Sequence, residues 1–284
     1  MGKLSEIKEV RPLLVLGSPR SGTTLIGNYV GSSRSVCNLG EYGGLYLSHQ
    51  VAVKEYRGVP SPYKHFYIKE LQQHAKSFPS RVASKRGEIF YCDSTPWNLL
   101  IAQSLAIELP SAVFIVTLRH YSGVLQSLQR SYKDGFQWAT RTWAERAHFW
   151  CSFYEHTRFL PAERTIPLSY DKLCESPELI VDHLDASLAK LGVDTISLDR
   201  RQFAKSHATN RVHSRPTVGL EQNRAKNFLG SIPSTDLKLW DEATMRKVFP
   251  IVRQTDDLLK AQFPTAYSEP VGFSNKFPNP SVLY

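Results

Sequence analysis

The stretch LLVLGSPRSGTTL, from Leu13 to Leu25, decides how this chain folds. Its first four residues are apolar and predict a short buried strand. Gly17 and Gly22 then enclose a tight loop, and the residues from Thr23 onward predict a helix. A strand, a tight loop and a helix together present several backbone N–H groups to one anion. The stretch therefore predicts a binding loop for an anion with several terminal oxygens.

The predicted loop has the Gly-x4-Gly frame of a phosphate-binding loop, but its positive charge lies in an unusual place. Nucleoside triphosphatases have a lysine directly after the second glycine, where this chain has Thr23. The cation is instead Arg20, inside the loop. A guanidinium binds an oxyanion through two parallel hydrogen bonds, so the loop is the first candidate anion site. Its candidate residues are Arg20, Ser21, Gly22, Thr23 and Thr24.

Length, composition and charge limit the class of protein. With 284 residues, 42% of them hydrophobic, the chain can form one large α/β domain. Its net charge of +9 is compatible with binding either nucleic acid or a polyanionic small molecule.

The four cysteines are scattered without a C-x-x-C pair, which predicts neither a zinc site nor a disulfide framework. We see no secretory signal and no apolar run of membrane-spanning length, and we expect a cytoplasmic protein without a metal.

Apolar runs alternate with helical patterns, which predicts an α/β fold with a P-loop-like parallel sheet flanked by helices. Strands are predicted at 13–16, 88–92, 112–118 and 165–169, and turns at 36–44. Helices are predicted at 22–33, 96–109 with Thr95 as N-cap, 120–132, 137–160, 171–191 in two pieces broken at Pro177, and 241–262. In the helix at 137–160, the recurring apolar residues are interpreted as core: Ala139, Trp143, Ala147, Trp150 and Tyr154.

We predict a single domain over residues 1–263 with two additions to the sheet. A cap of short helices is expected over 41–87, and a basic flap over 200–230. An extended tail is expected from residue 264 to 284, because it contains four prolines among polar residues.

Charged and polar side chains follow several predicted strands, and the carboxyl ends of parallel strands meet at one edge of a sheet. Arg20, Asp93, Arg119 and Tyr170 are therefore expected to converge. Ser127 comes eight positions after Arg119, on the following helix. Arg119 and Ser127 form a second candidate anion site, one strand away from the first.

These two motifs resemble those of sulfotransferases that use 3′-phosphoadenylyl sulfate (PAPS). In that family the first loop holds the 5′-phosphosulfate and the Arg/Ser pair holds the 3′-phosphate. The resemblance, which is closest to tyrosylprotein-type and bacterial members, implies these roles for residues 20–24 and for Arg119 and Ser127. Tyr170 matches a tyrosine near the nucleotide, and Arg215 resembles a basic residue that closes over it. PAPS would be the co-substrate, adenosine 3′,5′-bisphosphate the product, and no metal would be needed.

The resemblance also proposes a catalytic base. Glu41, in the pair Gly40-Glu41, matches the glutamate that tyrosylprotein-type members use to take the proton of the acceptor hydroxyl. Aryl members use a histidine, so four histidines stay open as alternatives: His49, His65, His207 and His213.

One position departs from the family pattern. Many relatives carry a lysine in a D-K-T-P segment, where this chain has Ser94. Arg20 or a residue of the flap would then replace that lysine at the bridging oxygen.

Two other functions stay open. A P-loop kinase or nucleoside triphosphatase fits the apolar run before Asp93, but Thr23 lacks the charge that phosphoryl transfer needs. A nucleic-acid-binding protein would account for the basic flap but not for two separate anion sites. Our preferred prediction is transfer of a sulfuryl group from PAPS to a hydroxyl, or second to an amine. We expect a small molecule or natural product as acceptor ahead of a glycan or peptide, with no nucleic-acid or membrane partner.

Overall fold

A parallel sheet of five strands forms the centre of the computed structural model, which describes residues 10–53, 61–193, 240–269 and 273. The strands are β1 Arg11–Leu16, β2 Val36–Asn38, β3 Phe90–Asp93, β4 Val113–Leu118 and β5 Thr165–Ser169. Their order across the sheet is β2-β3-β1-β4-β5, and every neighbouring pair is parallel. The predicted α/β fold class is confirmed.

Both faces of the sheet are covered, as parallel sheets require. Successive side chains of a strand point to opposite faces, so β1 sends Leu14 and Leu16 into one apolar cluster and Leu13 and Val15 into another. All six residues of β4 are buried. The continuous apolar patterns of β1 and β4 therefore reflect their central place in the sheet.

Helices cover the two faces in separate groups. The side facing Leu14 and Leu16 is covered by residues of α4 Ala102–Glu108, α5 Tyr121–Lys133, α6 Trp143–Tyr154 and α9 Glu242–Gln262. The opposite side is covered by residues of α1 Thr23–Val30, α7 Tyr170–Glu175 and α8 Pro177–Lys190. Pro96–Ile101 form a 3-10 helix before α4. The predicted break at Pro177 and the predicted last helix are confirmed.

Two local predictions are wrong. The chain at 36–44 includes the edge strand β2, whose three residues are too few for a recognisable alternation. The predicted helix at 137–160 is divided, because Thr140 takes a left-handed backbone conformation with φ 60°. Thr142 then begins α6 through a capping box with Glu145. The core interpretation of Trp150 and Tyr154 is confirmed, since both are fully buried.

The cap region contains longer helices than expected. Helix α2 spans Gly44–Val53, and α3 spans Ser61–Lys85, a helix of 25 residues with Pro79 in its interior. The two helices pack on each other. Periodicity underestimates α3 because its N-terminal half exposes Tyr63, Phe66 and Tyr67, which blurs the apolar stripe.

The C-terminal part differs from the expected extended tail where it is described. After Phe263 the chain turns, and Tyr267 and Phe273 are buried against His120 and Tyr121. The basic flap at 200–230 and most of the tail beyond residue 269 lie outside the described residues. No helix among the described residues is both long and apolar enough to cross a membrane.

Candidate active site

The predicted anion loop lies at the carboxyl end of β1 and leads into α1. Arg20 and Gly22 both have left-handed backbone conformations, with φ 74° and 96°. These two residues bend the chain so that α1 begins at Thr23, directly after the loop. The first N–H groups of a helix have no partner within the helix, so they remain available to an anion.

Ser21 is directed into the protein and not toward solvent. Its hydroxyl donates to the carbonyl of Ser18 at 2.6 Å and lies 2.9 Å from the hydroxyl of Thr117, and its N–H also donates to Ser18. Thr117 in turn donates to the carbonyl of Leu16. Ser21 thus fastens the loop to β4 and fixes its shape.

The two candidate anion sites meet directly. Nε of Arg20 donates to the hydroxyl of Ser127 at 3.0 Å. Nη1 of Arg119 donates to the carbonyl of Arg20 at 2.8 Å. Strands β1 and β4 are neighbours in the sheet, so the loops that follow them lie side by side. The structure therefore brings together Arg20, Arg119 and Ser127, as the sequence predicts.

Tyr170 closes the other side of this cluster. The guanidinium carbon of Arg119 lies 4.3 Å from the centroid of the Tyr170 ring, a cation–π distance. The same ring approaches Gly22 so closely that a Cβ on Gly22 would lie 2.5 Å from it. The strand-end tyrosine, the loop and the second arginine therefore form one packed unit.

The electrostatics of this unit favour a polyanion. Loss of hydration, and then the charge of Arg119, lower the pKa of Arg20 from its ordinary value. Burial raises the pKa of Tyr170, an effect that Arg119 partly offsets. At neutral pH two positive guanidinium groups and a neutral phenol therefore lie side by side. Because the two cations repel each other, an anion bound between them is strongly favoured.

The backbone around Arg119 is held by three side chains that the sequence does not assign to the site. The hydroxyl of Tyr154 accepts the N–H of Arg119 at 3.3 Å, and the indole N–H of Trp150 donates to its carbonyl at 3.3 Å. Asp171 accepts the next N–H, that of His120, at 2.9 Å. The only sequence signal is that buried tyrosine and tryptophan normally find a polar partner.

Glu41 lies beside the anion loop, at one wall of a cavity. The hydroxyl of Thr24 donates to its carboxylate oxygen Oε1 at 3.0 Å. The cavity has a volume of about 300 Å³. Its described lining residues are Pro19, Arg20, Thr23, Thr24, Glu41, Pro96, Trp97 and Trp138. One cavity thus joins the cation of the loop, the carboxylate and two indole rings.

The alternatives to Glu41 lie elsewhere or cannot be placed. Neither His49 nor His65 lines the described part of this cavity. His49 borders a separate, much smaller cavity between α2, α3 and α4. His207, His213 and the predicted nucleotide residue Arg215 lie outside the described residues.

Ser94, at the position of the expected lysine, does not reach the cavity. It is buried, and its hydroxyl donates to the carbonyl of Gly40 at 3.2 Å. Thr95 is the N-cap residue of the following 3-10 helix, as predicted, but its side chain makes no capping hydrogen bond. Its hydroxyl instead donates to Asp93 at 2.6 Å.

The fold and the site define an α/β protein of the P-loop-like class, with two adjoining arginines at the carboxyl edge of its sheet. A sequence profile described as the sulfotransferase family matches residues 12–194. This match covers more than half of the chain, so the chain belongs to the sulfotransferase family and is a transferase. The predicted family is confirmed, and it favours sulfuryl transfer over the rival prediction of a nucleoside triphosphatase.

A solved sulfotransferase domain shares this fold, and two further solved sulfotransferases align less closely. The sulfotransferase domain of the curacin biosynthetic pathway aligns with a TM-score of 0.51 at 14% identity, over 93% of this chain and 100% of that domain. The sulfotransferase domain of the olefin synthase of Synechococcus PCC 7002 gives 0.49 at 14% identity, over 95% and 99%. STF9 of Mycobacterium avium gives 0.45 at 14% identity, over 88% and 76%. Comparison with curated protein sequences finds no match. The expected closeness to tyrosylprotein-type members stays a prediction.

Proposed function

We propose that this protein transfers the sulfuryl group of PAPS to a hydroxyl group of a compact, largely apolar small molecule. One observation carries the proposal. Arg20 is hydrogen-bonded both to Ser127 and to Arg119, and it also lines the cavity that contains Glu41. The sulfuryl donor, the acceptor molecule and the catalytic base would then lie next to one another.

For the donor, we assign the 5′-phosphosulfate to Arg20, Thr23, Thr24 and the N–H groups at the start of α1. Arg119 and Ser127 would bind the 3′-phosphate, with Tyr170 beside the nucleotide and Arg215 closing over it. Ser21 would act indirectly, because its hydroxyl and N–H are engaged in shaping the loop. Charge-assisted hydrogen bonds from guanidinium to phosphate are about twice as strong as neutral ones, so these arginines would provide most of the affinity.

Glu41 is the proposed general base. It would accept the proton of the acceptor hydroxyl as that oxygen attacks sulfur. The new O–S bond then forms while the bond from sulfur to the bridging oxygen breaks. The leaving adenosine 3′,5′-bisphosphate takes the electron pair, and Arg20 would stabilise the charge that develops on it. The Thr24–Glu41 hydrogen bond supports this role, because it places the carboxylate next to the anion loop.

The cavity wall supports a small apolar acceptor. Trp97, Trp138 and two prolines provide apolar and aromatic surface, and Trp138 is 40% exposed. A volume of about 300 Å³ lies at the small end of ligand sites. An alcohol or phenol of this size fits better than a glycan or peptide, and an amine is the second choice. We keep the expectations of a cytoplasmic location and of no nucleic-acid or membrane partner.

Transfer of label from radiolabelled PAPS to a panel of small alcohols, phenols and amines tests this function. Wild-type protein should label at least one alcohol or phenol. Glu41→Gln should lower turnover by about 100- to 10,000-fold, because the base is lost, while affinity for adenosine 3′,5′-bisphosphate stays unchanged. Glu178→Gln, at an exposed glutamate of α8, is the matched control and should keep wild-type turnover.

Two outcomes would count against the proposal. Failure to label any member of the panel would remove the acceptor class. Wild-type turnover in Glu41→Gln would exclude Glu41 as the base and transfer that role to a histidine.

A further inference from the structure

The segment that carries Glu41 is fastened to the end of strand β3. We call residues 39–43 the base loop and residues 93–95 the clamp. The N–H of Leu39 donates to the carbonyl of Cys92 at 2.9 Å, which continues the pairing of β2 with β3. The N–H of Ser94 then donates to the carbonyl of Gly40 at 2.8 Å. The peptide group that precedes Glu41 is therefore fixed by the clamp.

The second peptide group after Glu41, between Tyr42 and Gly43, is fixed by Thr95. Its hydroxyl accepts the N–H of Gly43 at 2.9 Å and donates its single proton to Oδ1 of Asp93 at 2.6 Å. A hydroxyl that gives its proton to a carboxylate presents its lone pairs elsewhere, here to the base loop. The backbone of Tyr42 is a further hydrogen-bond partner of Asp93. Both sides of Glu41 are therefore held.

Asp93 is itself firmly placed. The N–H of Thr95 donates to Oδ1 at 2.9 Å, and the side-chain amide of Asn98 donates to Oδ2 at 2.9 Å. Asp93 is completely buried, and Thr95 is 3% exposed. Burial raises the pKa of Asp93, and the hydrogen bonds from Thr95 and Asn98 oppose that effect. A buried network with these partners fixes geometry more tightly than a solvated turn does.

Ser94, which stands where many relatives have a lysine, is part of the clamp. Ser94 lies against Gly27 of α1, where a Cβ on the glycine would be 2.4 Å from Cβ of Ser94. Position 94 therefore packs the clamp against α1 and holds Gly40.

We propose that Asp93 and Thr95 are positioning residues for Glu41: they hold the base loop so that the carboxylate stays in the cavity, beside Thr24. This inference rests on the proposed role of Glu41 as base. Neither residue touches substrate in it, and the effect passes through the backbone of the base loop. A fixed backbone matters here because Glu41 is exposed, with little packing around its side chain to hold it.

Substitutions of Thr95 test the proposal. Thr95→Val keeps the shape of the side chain but removes the hydroxyl, and Thr95→Ser keeps the hydroxyl. We expect Thr95→Val to lower kcat by about 10- to 100-fold, the range expected for a catalytic group displaced by about 1 Å. Affinity for adenosine 3′,5′-bisphosphate should stay within about twofold, and Thr95→Ser should restore kcat. Thr255→Val is the control, because that buried hydroxyl lies on α9 and contacts Glu155.

Two further measurements separate positioning from a general structural effect. In a Glu41→Gln background, Thr95→Val should have almost no additional effect on kcat, since it acts through Glu41. In hydrogen–deuterium exchange, Thr95→Val should raise exchange in residues 39–43 and leave residues 17–24 unchanged. The exchange experiment does not depend on activity, so it tests the clamp even if sulfuryl transfer is not observed.

Several results would overturn the proposal. Wild-type kcat in Thr95→Val, a parallel loss of kcat and nucleotide affinity, or no rescue by Thr95→Ser would each do so. Additive effects of the two substitutions, or unchanged exchange in residues 39–43, would also contradict it. Full activity in Glu41→Gln would overturn both the base and its positioning, whereas an inactive Glu41→Gln with a normal Thr95→Val would overturn the positioning alone.

Discussion

At the scale of single residues, the missing side chain of Gly22 shapes the candidate anion site as much as the charge of the arginines does. Gly22 has a backbone φ angle of 96°, which residues with a Cβ atom rarely adopt. A Cβ there would also come within 2.5 Å of the Tyr170 ring. Gly22 therefore serves two purposes, since it turns the chain into α1 and allows Tyr170 to lie against the loop.

Gly22→Ala should disturb both features. We expect the free energy of unfolding to fall by about 1–2 kcal/mol from backbone strain, with a further loss from the clash with Tyr170. Affinity for adenosine 3′,5′-bisphosphate should fall at least about tenfold, a loss of about 1.4 kcal/mol of binding energy, because the loop and Tyr170 separate. Denaturant unfolding and titration calorimetry measure the two effects.

Gly87→Ala provides the matched control. Gly87 also has a left-handed conformation, φ 75°, but a Cβ there meets nothing within 4 Å. It should lose stability through strain alone and keep wild-type affinity. Equal loss of affinity in both variants would contradict the assigned role of Gly22.

The candidate anion-binding residues could be predicted from the sequence. The side chains that hydrogen-bond the backbone around them could not. Arg20, Arg119 and Ser127 stand in local motifs with a recognisable chemistry. The side chains that hold the backbone around Arg119 come from α6 and α7, 31 to 51 residues further along the chain. A buried tyrosine in an apolar stripe gives no sign of which backbone group its hydroxyl will meet. Thr95 is the N-cap residue that the sequence predicts, but its hydroxyl makes no capping hydrogen bond because the buried carboxylate of Asp93 competes for it.

At the level of elements, helix α6 connects the loops that follow β1 and β4. The hydroxyl of Tyr154 donates to the carbonyl of Thr117 at 2.9 Å and accepts the N–H of Arg119 at 3.3 Å. Ser21 and the backbone of Ser18, in the first loop, are further hydrogen-bonding neighbours of this hydroxyl. One phenol oxygen therefore sits where the loops after β1 and β4 meet.

Tyr154→Phe should weaken this connection without changing the shape of the core. Unpairing two buried backbone groups should lower the free energy of unfolding by about 1–3 kcal/mol and reduce affinity for adenosine 3′,5′-bisphosphate. Tyr91→Phe is the control, since the buried Tyr91 hydroxyl has no hydrogen-bond partner among the described residues. If both variants bind the nucleotide like wild type, α6 does not hold the two loops in place.

The sequence predicts where a helix or strand begins and ends when a single local feature, such as an apolar run or a proline, determines it. Strands β1 and β4 are continuous apolar runs, and Pro177 separates α7 from α8. The break before α6 depends on Thr140, a residue type without an intrinsic preference for its left-handed conformation. Apolar periodicity does not register this conformation, so periodicity alone extends the helix through the break.

At the level of the whole molecule, the order of strands assembles the site. Strands β3, β1, β4 and β5 are consecutive neighbours, so the clamp, the anion loop, Arg119 and Tyr170 lie in that sequence along one edge. The sequence predicts that the residues after these strands converge. It does not predict the order, because that depends on pairings between distant segments.

In the proposed function, two joined arginine sites recognise a nucleotide by its 5′ and 3′ anionic groups together. The decisive measurement is calorimetric titration, in the presence of EDTA, with adenosine 3′,5′-bisphosphate and with adenosine 5′-phosphate. The bisphosphate should bind roughly 10- to 100-fold more tightly, as expected for one charge-assisted contact worth about 1.5–3 kcal/mol. Arg119→Ala should abolish the difference while the 5′-phosphate affinity changes little. Equal affinities in the wild-type protein, or an equal loss for both nucleotides in Arg119→Ala, would contradict the account.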